Sequence, residues 1–403
     1  MRLADLRVLD FCWVGAGAFV TRLLADLGAE VVKVESHAHP DNLRLSGPYK
    51  AGAKHLEGSG YFASRNTNKK SLALNMGHPD ARAIARRLAQ KCSIVTNNFR
   101  PGIMERWGLG YAELAADNPS LIYLAMPMQG SAGPNKSYIG FGSTIAAISG
   151  LVEMSGAPDR APIGTGTHYP DHVPNPGHAL VGLLAAIFHR ARTGQGQYIE
   201  LAQLESTVNL MGPSILRYAA CGELPHRTGN RREGAVPRGV FPCQGEDVWC
   251  AIEIESDQGW QALAEVLGRP SWMTEPTLAT LGGRSEFIDS IEARLAEETR
   301  RFQAADLAAL LQARGIASAM VETSRDVMED RQLMARGYWR EIEHAEMGRL
   351  TVNLPPFFAT EEGRTREPAP PPLLGEHTHE IATGLLGLTE GEYTRLINEQ
   401  VLW

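Results

Sequence analysis

The sequence predicts an α/β fold, with a Rossmann-like parallel sheet in a large domain and a small α+β domain set between that domain and the C-terminal stretch. Three observations predict it. Residues 6–11 and 30–35 are strand-like runs separated by a small-residue turn, Val14-Gly15-Ala16-Gly17-Ala18, and by an apolar helical stretch over 19–27 that Gly28 closes, which is a βαβ pattern. Further strand-like runs at 93–96 and 121–126 alternate with a helix that runs from Pro79 through residue 90. Finally, residues 226–234 (HRTGNRREG) shift abruptly to charge and glycine, as a linker does.

In chain order, the first turn carries Gly15 and Gly17 but has Val20 where a third glycine would complete a dinucleotide fingerprint. The turn still lets a ligand approach backbone N–H groups near a helix N-terminus, where negative charge is favoured. Residues 66–75 (NTNKKSLALN) form a basic turn running into a strand, and Asn97-Asn98-Phe99-Arg100-Pro101-Gly102 follows the strand at 93–96, at the strand end where open α/β sheets bind ligands. Lys69, Lys70, Arg100 and Arg106 stand at such junctions, either as solvated surface charges or as phosphate contacts. Beyond the linker, residues 240–242 and 248–252 pattern as a hairpin, and helices are expected over 258–267, 287–296 and 304–314. The division is therefore a large domain over 1–225, a small domain over 226–325, and a segment over 326–403 that returns to pack on the large domain.

Composition removes several classes of function. The 403 residues are 43% hydrophobic and carry a net charge of −7 with mixed signs, so no basic field recruits nucleic acid. No stretch reaches the ~20 apolar residues of a membrane span, and charges at Asp5, Arg7 and Asp10 interrupt any signal-peptide core. Five cysteines (Cys12, Cys92, Cys221, Cys243 and Cys250) lack CxxC spacing and are odd in number, which argues against a disulfide framework or a zinc site and for a cytoplasmic location. No metal site is expected.

The segment most loaded with chemistry is 162–205. Leu180, Leu183, Leu184, Ile187 and Phe188 recur at helical spacing over 179–192, Gly194 ends that helix, and residues 197–201 follow as a strand. Ahead of the helix, a loop bounded by Pro170 and Pro174 carries Asp171 with His168, Tyr169, His172 and Asn175 beside it. By composition alone such an aspartate serves equally as a turn former or helix cap.

Taken together, LRVLDFCWVGAGA, GAEVVKVE, NTNKKSLALN, NNFRPGIMERWGLGY, the Asp171 loop with RTGQGQYIELAQLE, DRQLMARGYW and LLGEHTHEI resemble, in order and spacing over nearly the whole chain, the class III CoA-transferases, the family of formyl-CoA and carnitine CoA-transferases. The resemblance implies ring-shaped subunits interlocked as a dimer, either a homodimer or a heteromer with a paralogous subunit. It implies coenzyme A and acyl-CoA as substrates with no permanently bound cofactor, and a small carboxylic acid as the other partner. It makes Asp171 the nucleophile and Gly15, Ala16, Leu74, Asn75, Asn98, Phe99, Arg100 and Arg106 the CoA contacts. Two positions depart from the family pattern: Ser36 replaces an arginine near the nucleotide, and Gly140 replaces a polar loop residue.

The activity so implied moves CoA from an acyl-CoA donor, succinyl-CoA being the expectation, to a carboxylic acid through an aspartyl-CoA thioester. The wording of DFCWVGAG and YPDHVPNPGHA is similar to that of members acting on aromatic or branched dicarboxylic acids such as benzylsuccinate. The alternatives are an acyl-CoA racemase or isomerase of the same family, which the lack of a His-Asp pair near Gly140-Phe141-Gly142 disfavours, and a non-catalytic CoA-binding subunit of a heteromeric transferase. A nucleotide-dependent oxidoreductase would rest on Glu35 and an incomplete glycine fingerprint.

Overall fold

The computed structural model describes residues 3–52, 54–357 and 367–403. Six parallel strands, β1 (Arg7–Phe11), β2 (Glu30–Glu35), β3 (Lys70–Ala73), β4 (Ile94–Asn97), β5 (Ile122–Ala125) and β6 (Gln197–Glu200), form one sheet in the order β3-β2-β1-β4-β5-β6. In register, Leu9 of β1 stands opposite Val32 of β2 and Val95 of β4. The central strands are apolar at successive positions, so both sheet faces need cover, and a parallel sheet acquires that cover from its crossover helices. Alternate residues accordingly feed two cores. Val8, Val31, Ile94 and Ile122 pack with helix α1 (Gly15–Asp26) and the long helix Pro174–Thr193, while Leu9, Val32 and Val95 pack with α3 (Pro79–Ala89) and C-terminal residues Ile381, Leu396 and Leu402. Between them, α2 (Gly60–Asn66) precedes β3.

Strand order reverses between β1 and β4, so the connections leaving their C-terminal ends diverge and open a crevice. Phe11 and Asn97 pair at that end, which delivers Trp13 and Asn98 to the crevice together.

Two expectations about local structure change. Helix α1 begins at Gly15 and not at residue 19: the small-residue turn is the helix's first turn, disguised by glycines whose intrinsic helix propensity is poor. Asp171 lies in a short helix, Tyr169–His172, and not in an open loop, because the fixed φ of Pro170 suits a first helical turn.

The chain divides into two units. One comprises residues 1–152, 164–224 and 334–403, the other 153–163 and 225–333. Segment 153–163, which the sequence assigns to the large domain, goes with the second unit because Gly229 donates its N–H to Gly156 O at 2.9 Å and Arg227 pairs with Glu153 at 2.9 Å. That unit is built on an antiparallel sheet in the order β7 (Arg238–Pro242), β8 (Trp249–Glu253), β9 (Ala317–Met320), over a core that includes Trp260, Leu263, Leu295 and Leu307. In the first unit, the C-terminal stretch is tied to β3 and its exit through Asn75 N–H to Val401 O (2.9 Å) and Ala73 N–H to Thr378 Oγ1 (2.9 Å).

Candidate active site

Asp171 is only 6% exposed, although among the described residues no ion pair reaches it. Its own N–H closes the turn onto His168 O at 2.9 Å. The following helix starts with Pro174 and Pro176 in its first turn, and Asn175, fully buried, reaches Gln203, whose amide donates to Met126 O at the end of β5. The nucleophile candidate is thus anchored to the sheet on one side. On the other sides two glycines make room for it: a Cβ built on Gly15 would stand 2.7 Å from Asp171 Cβ, and one on Gly142 would stand 2.6 Å from Asp171 Oδ2. Burial pushes the Asp171 carboxyl up to about 6, while His168, the Gly142 N–H and Arg65 pull the other way.

The chain leaving β1 is pinned at every residue. Cys12 N–H donates to Asp10 Oδ1 (2.9 Å), Trp13 N–H to Asn98 Oδ1 (2.9 Å) and Val14 N–H to Asp41 Oδ1 (3.0 Å), while Lys33 Nζ spans Cys12 O (2.8 Å) and Asp41 (2.7 Å). Val14 takes φ 62° and ψ −149°, a backbone region nearly confined to glycine. These bonds hold the strained residue in place. They also commit the N–H groups of Trp13 and Val14, so of the Val14–Gly17 turn only Gly15, Ala16 and Gly17, in the first turn of α1, keep donors that no helical carbonyl takes.

Two cavities are lined by residues of the Asp171 segment, one of them by the carboxylate itself. The smaller, about 350 Å³, is lined by Asp171 itself with Gly15, Ala16, Asn98, Phe99 and Arg100, so five of the expected CoA contacts converge on the expected nucleophile. The larger, about 880 Å³, is lined by its neighbours His168 and His172 with Tyr61, Ser143, Thr165 and Thr167, and among the described residues by no Asp or Glu. Leu74, Asn75 and Arg106 lie outside both. The Leu74 side chain is buried in the core and its N–H is taken by Glu35 O, the Asn75 amide donates to Gln400 O, and Arg106 is exposed at the end of a short helix. Ser36 is buried, its hydroxyl accepting from His39 N–H.

Three residues that shape the site escape sequence reasoning. Asp41 and Gly142 are described above; the third is Arg65, at the end of α2. Its Nη2 lies 2.9 Å from His172 Nδ1, and its guanidinium stacks over Phe19 (4.6 Å). Burial and the Arg65 charge push the His172 imidazole down to about 4. Glu35, by contrast, is buried and engaged: Arg44 donates to both its oxygens at 2.9 and 2.8 Å and the Ser71 hydroxyl to one of them at 2.9 Å, so it is not presented to a ribose hydroxyl. Among the described residues no group of three or more His, Cys, Asp or Glu could hold a metal ion, and no helix is long and apolar enough to cross a membrane.

Comparison with known proteins places this arrangement. The profile of CoA-transferase family III matches residues 3–378. The chain is 32% identical over 99% of its length to the succinyl-CoA–D-citramalate CoA-transferase of Chloroflexus aurantiacus, covering 98% of that protein. It is 33% identical over 94% of its length to the succinyl-CoA:mesaconate CoA-transferase of Haloarcula marismortui, covering 95% of that protein. A relative at 29% identity over 99% of the chain and 98% of its own length is the beta subunit of a succinyl-CoA–L-malate CoA-transferase of Chloroflexus aurantiacus. A CaiB/BaiF family protein from Brucella suis superposes with a TM-score of 0.86 at 28% identity, over 95% of this chain and 99% of the other. With the match running through the crevice, the Asp171 helix and the C-terminal return alike, the chain belongs to CoA-transferase family III and is an enzyme of that family.

Proposed function

We propose that this enzyme transfers CoA from succinyl-CoA to a dicarboxylic acid through an aspartyl-CoA thioester on Asp171. The observation that carries the reading is a buried carboxylate that lines the cavity of the expected CoA contacts, with its neighbours His168 and His172 lining a second cavity. Asp171 attacks the donor thioester carbonyl, expelling CoA thiolate and leaving a mixed anhydride. The thiolate then attacks the aspartyl carbonyl, releasing succinate and forming the enzyme thioester. The acceptor carboxylate displaces CoA from that thioester, and the thiolate returns to the acceptor carbonyl to regenerate Asp171. Acyl-bond energy is passed along and never lost to water. The N–H groups of Gly15 to Gly17 are placed to meet the oxyanion of each tetrahedral stage.

The smaller cavity takes the thioester end of CoA, with Gly15, Ala16, Asn98, Phe99 and Arg100 as contacts; Asn75 and Arg106 would touch only outer parts of CoA, and the buried Leu74 side chain none. Relatives named for citramalate, mesaconate and glutarate support a branched or short dicarboxylic acceptor. A volume of about 880 Å³ leaves room for a benzyl-bearing one such as benzylsuccinate. Val181, Leu184 and Phe188 on the long helix and Leu216 and Tyr218 on helix Gly212–Cys221 are exposed, an apolar surface that supports assembly as a homodimer or with a paralogous subunit.

The test is intact-protein mass spectrometry after incubation with a panel of acyl-CoAs and trapping with hydroxylamine or borohydride. A modification mapped to Asp171, given by succinyl-CoA and missing in Asp171→Ala, is the expected result. Its absence with every donor, despite CoA binding, overturns the covalent mechanism.

A further inference from the structure

We propose that His172, locked by Arg65 into the tautomer with its proton on Nε2, recognises the remote carboxylate of the dicarboxylic acid in the larger cavity and thereby sets acceptor specificity. The inference rests on the transferase reading above and adds to it the group that distinguishes a diacid from a monoacid.

The lock follows from donor chemistry. A guanidinium has no lone pair to offer, so the 2.9 Å contact between Arg65 Nη2 and His172 Nδ1 is a hydrogen bond only if Arg65 donates and Nδ1 accepts. The ring's low proton affinity in this setting keeps it neutral at physiological pH. A neutral imidazole with an accepting Nδ1 carries its proton on Nε2. His172 lines the larger cavity, so the side chain brings a donor of fixed polarity to that wall.

Charge distribution selects an anion as the occupant. Arg65 is packed between Phe19 and Tyr61, at 4.6 and 5.8 Å from the two rings, and its two Nη groups are spent on His172, Ser64 O and Ser64 Oγ. Its hydrogen-bond partners are thus neutral, the nearby carboxylate that its charge reaches being Asp171. The neighbouring Arg22, in contrast, has Asp26 at 3.3 Å. A positive charge behind the wall and a lining that, among the described residues, has no Asp or Glu favour a carboxylate in the cavity. Tyr61, whose ring meets that of His172 edge-on at 6.2 Å, adds a neutral hydroxyl on the same wall. Asp171 and His172 are adjacent in one short helix, the carboxylate lining the smaller cavity and the imidazole the larger.

The experiment compares glutarate with pentanoate, acids of equal chain length with two carboxylates and one, as acceptors from succinyl-CoA. His172→Leu is expected to lower the ratio of kcat/KM for glutarate over pentanoate by about 10- to 100-fold, the range that loss of one hydrogen bond to a charged group gives. The effect should fall on KM for glutarate, and His172→Gln, which offers an accepting oxygen to Arg65 and an N–H to the cavity, should restore much of the ratio. Arg65→Met, which frees the tautomer, should lower the ratio as well and provides a second variant if His172→Leu does not fold. Trapping of the Asp171 adduct in the wild-type enzyme separates the two levels of the argument. An adduct together with an unchanged ratio in His172→Leu and Arg65→Met overturns the role of His172 and leaves the transferase reading standing; no adduct in the wild type overturns both.

Discussion

Gly15 and Asp171 are so close that the first has no room for a side chain: a Cβ on Gly15 would stand 2.7 Å from Asp171 Cβ and 2.9 Å from Asp171 Oδ2. The contact joins the first turn of α1 to the short helix that carries the carboxylate, so a side chain on Gly15 must shift one against the other. Gly15→Ala should therefore displace the carboxylate while leaving the helix, in which alanine is favoured, intact. Transferase kcat is expected to fall about 100-fold, the scale of a misplacement near 1 Å. The overpacking should cost about 1–3 kcal/mol in a denaturation experiment. A variant of full activity would mean that Asp171 does not need its present position.

A second expectation concerns charge. Asp171 has a folded-state carboxyl near 6 against an ordinary value of 3.8, so folding favours its protonated form. Stability from this group is fully present below 3.8 and is lost as pH rises through 6, the reverse of a salt-bridged aspartate. The loss above pH 7 is on the order of 3 kcal/mol. Asp171→Asn, neutral at every pH, should consequently unfold at a higher temperature than wild type at pH 8 and match it near pH 4, while forming no adduct with succinyl-CoA. A midpoint lowered at pH 8 would show that the carboxylate stabilises the fold.

The same group predicts a pH profile. Attack on a thioester requires the ionised carboxylate, so kcat/KM for the acyl-CoA donor should rise tenfold per pH unit below about 6 and level off above it. Rapid-quench measurement of succinate release in a single turnover without acceptor isolates this half-reaction from acceptor binding. A profile flat from pH 5 to 8 would remove Asp171 from the nucleophile's role.

How far such a site can be read from sequence depends on whether its contacts are local. The sheet is legible because the apolar runs at β1, β2, β4 and β5 are short, bounded by glycine or polar turns, and spaced as βαβ units require. The Gly15, Ala16, Asn98, Phe99 and Arg100 cluster follows from the same topology, since these residues leave the ends of β1 and β4, where the strand order reverses. Arg65 is different. It meets His172 across 107 residues, and nothing in Ser64-Arg65-Asn66 signals that partner. Asp41 likewise reaches Val14 across 27 residues, from a stretch with no periodicity to mark it. Gly15 and Gly142 could be noticed only as glycines; what each makes room for is a property of the folded chain.

Asp41 and Val14 give the last prediction. Asp41 is completely buried against Lys33 and also accepts the N–H of Val14, so one side chain neutralises a buried ammonium and holds a residue in a conformation that costs about 1–3 kcal/mol. Asp41→Ala leaves Lys33 buried with one carboxylate fewer and should destabilise the protein by about 3–5 kcal/mol. Asp41→Asn keeps an oxygen for Val14 and should retain the turn at a smaller cost. Val14→Gly removes the need for restraint, because glycine reaches φ 62° without a Cβ clash. If the Asp41 bond serves to hold the turn, Val14→Gly should recover transferase kcat in an Asp41→Ala background while leaving most of the stability deficit, which belongs to Lys33. Recovery of stability without activity would assign Asp41 to the fold alone. The double-mutant cycle, read by both thermal midpoint and kcat, separates strain from charge.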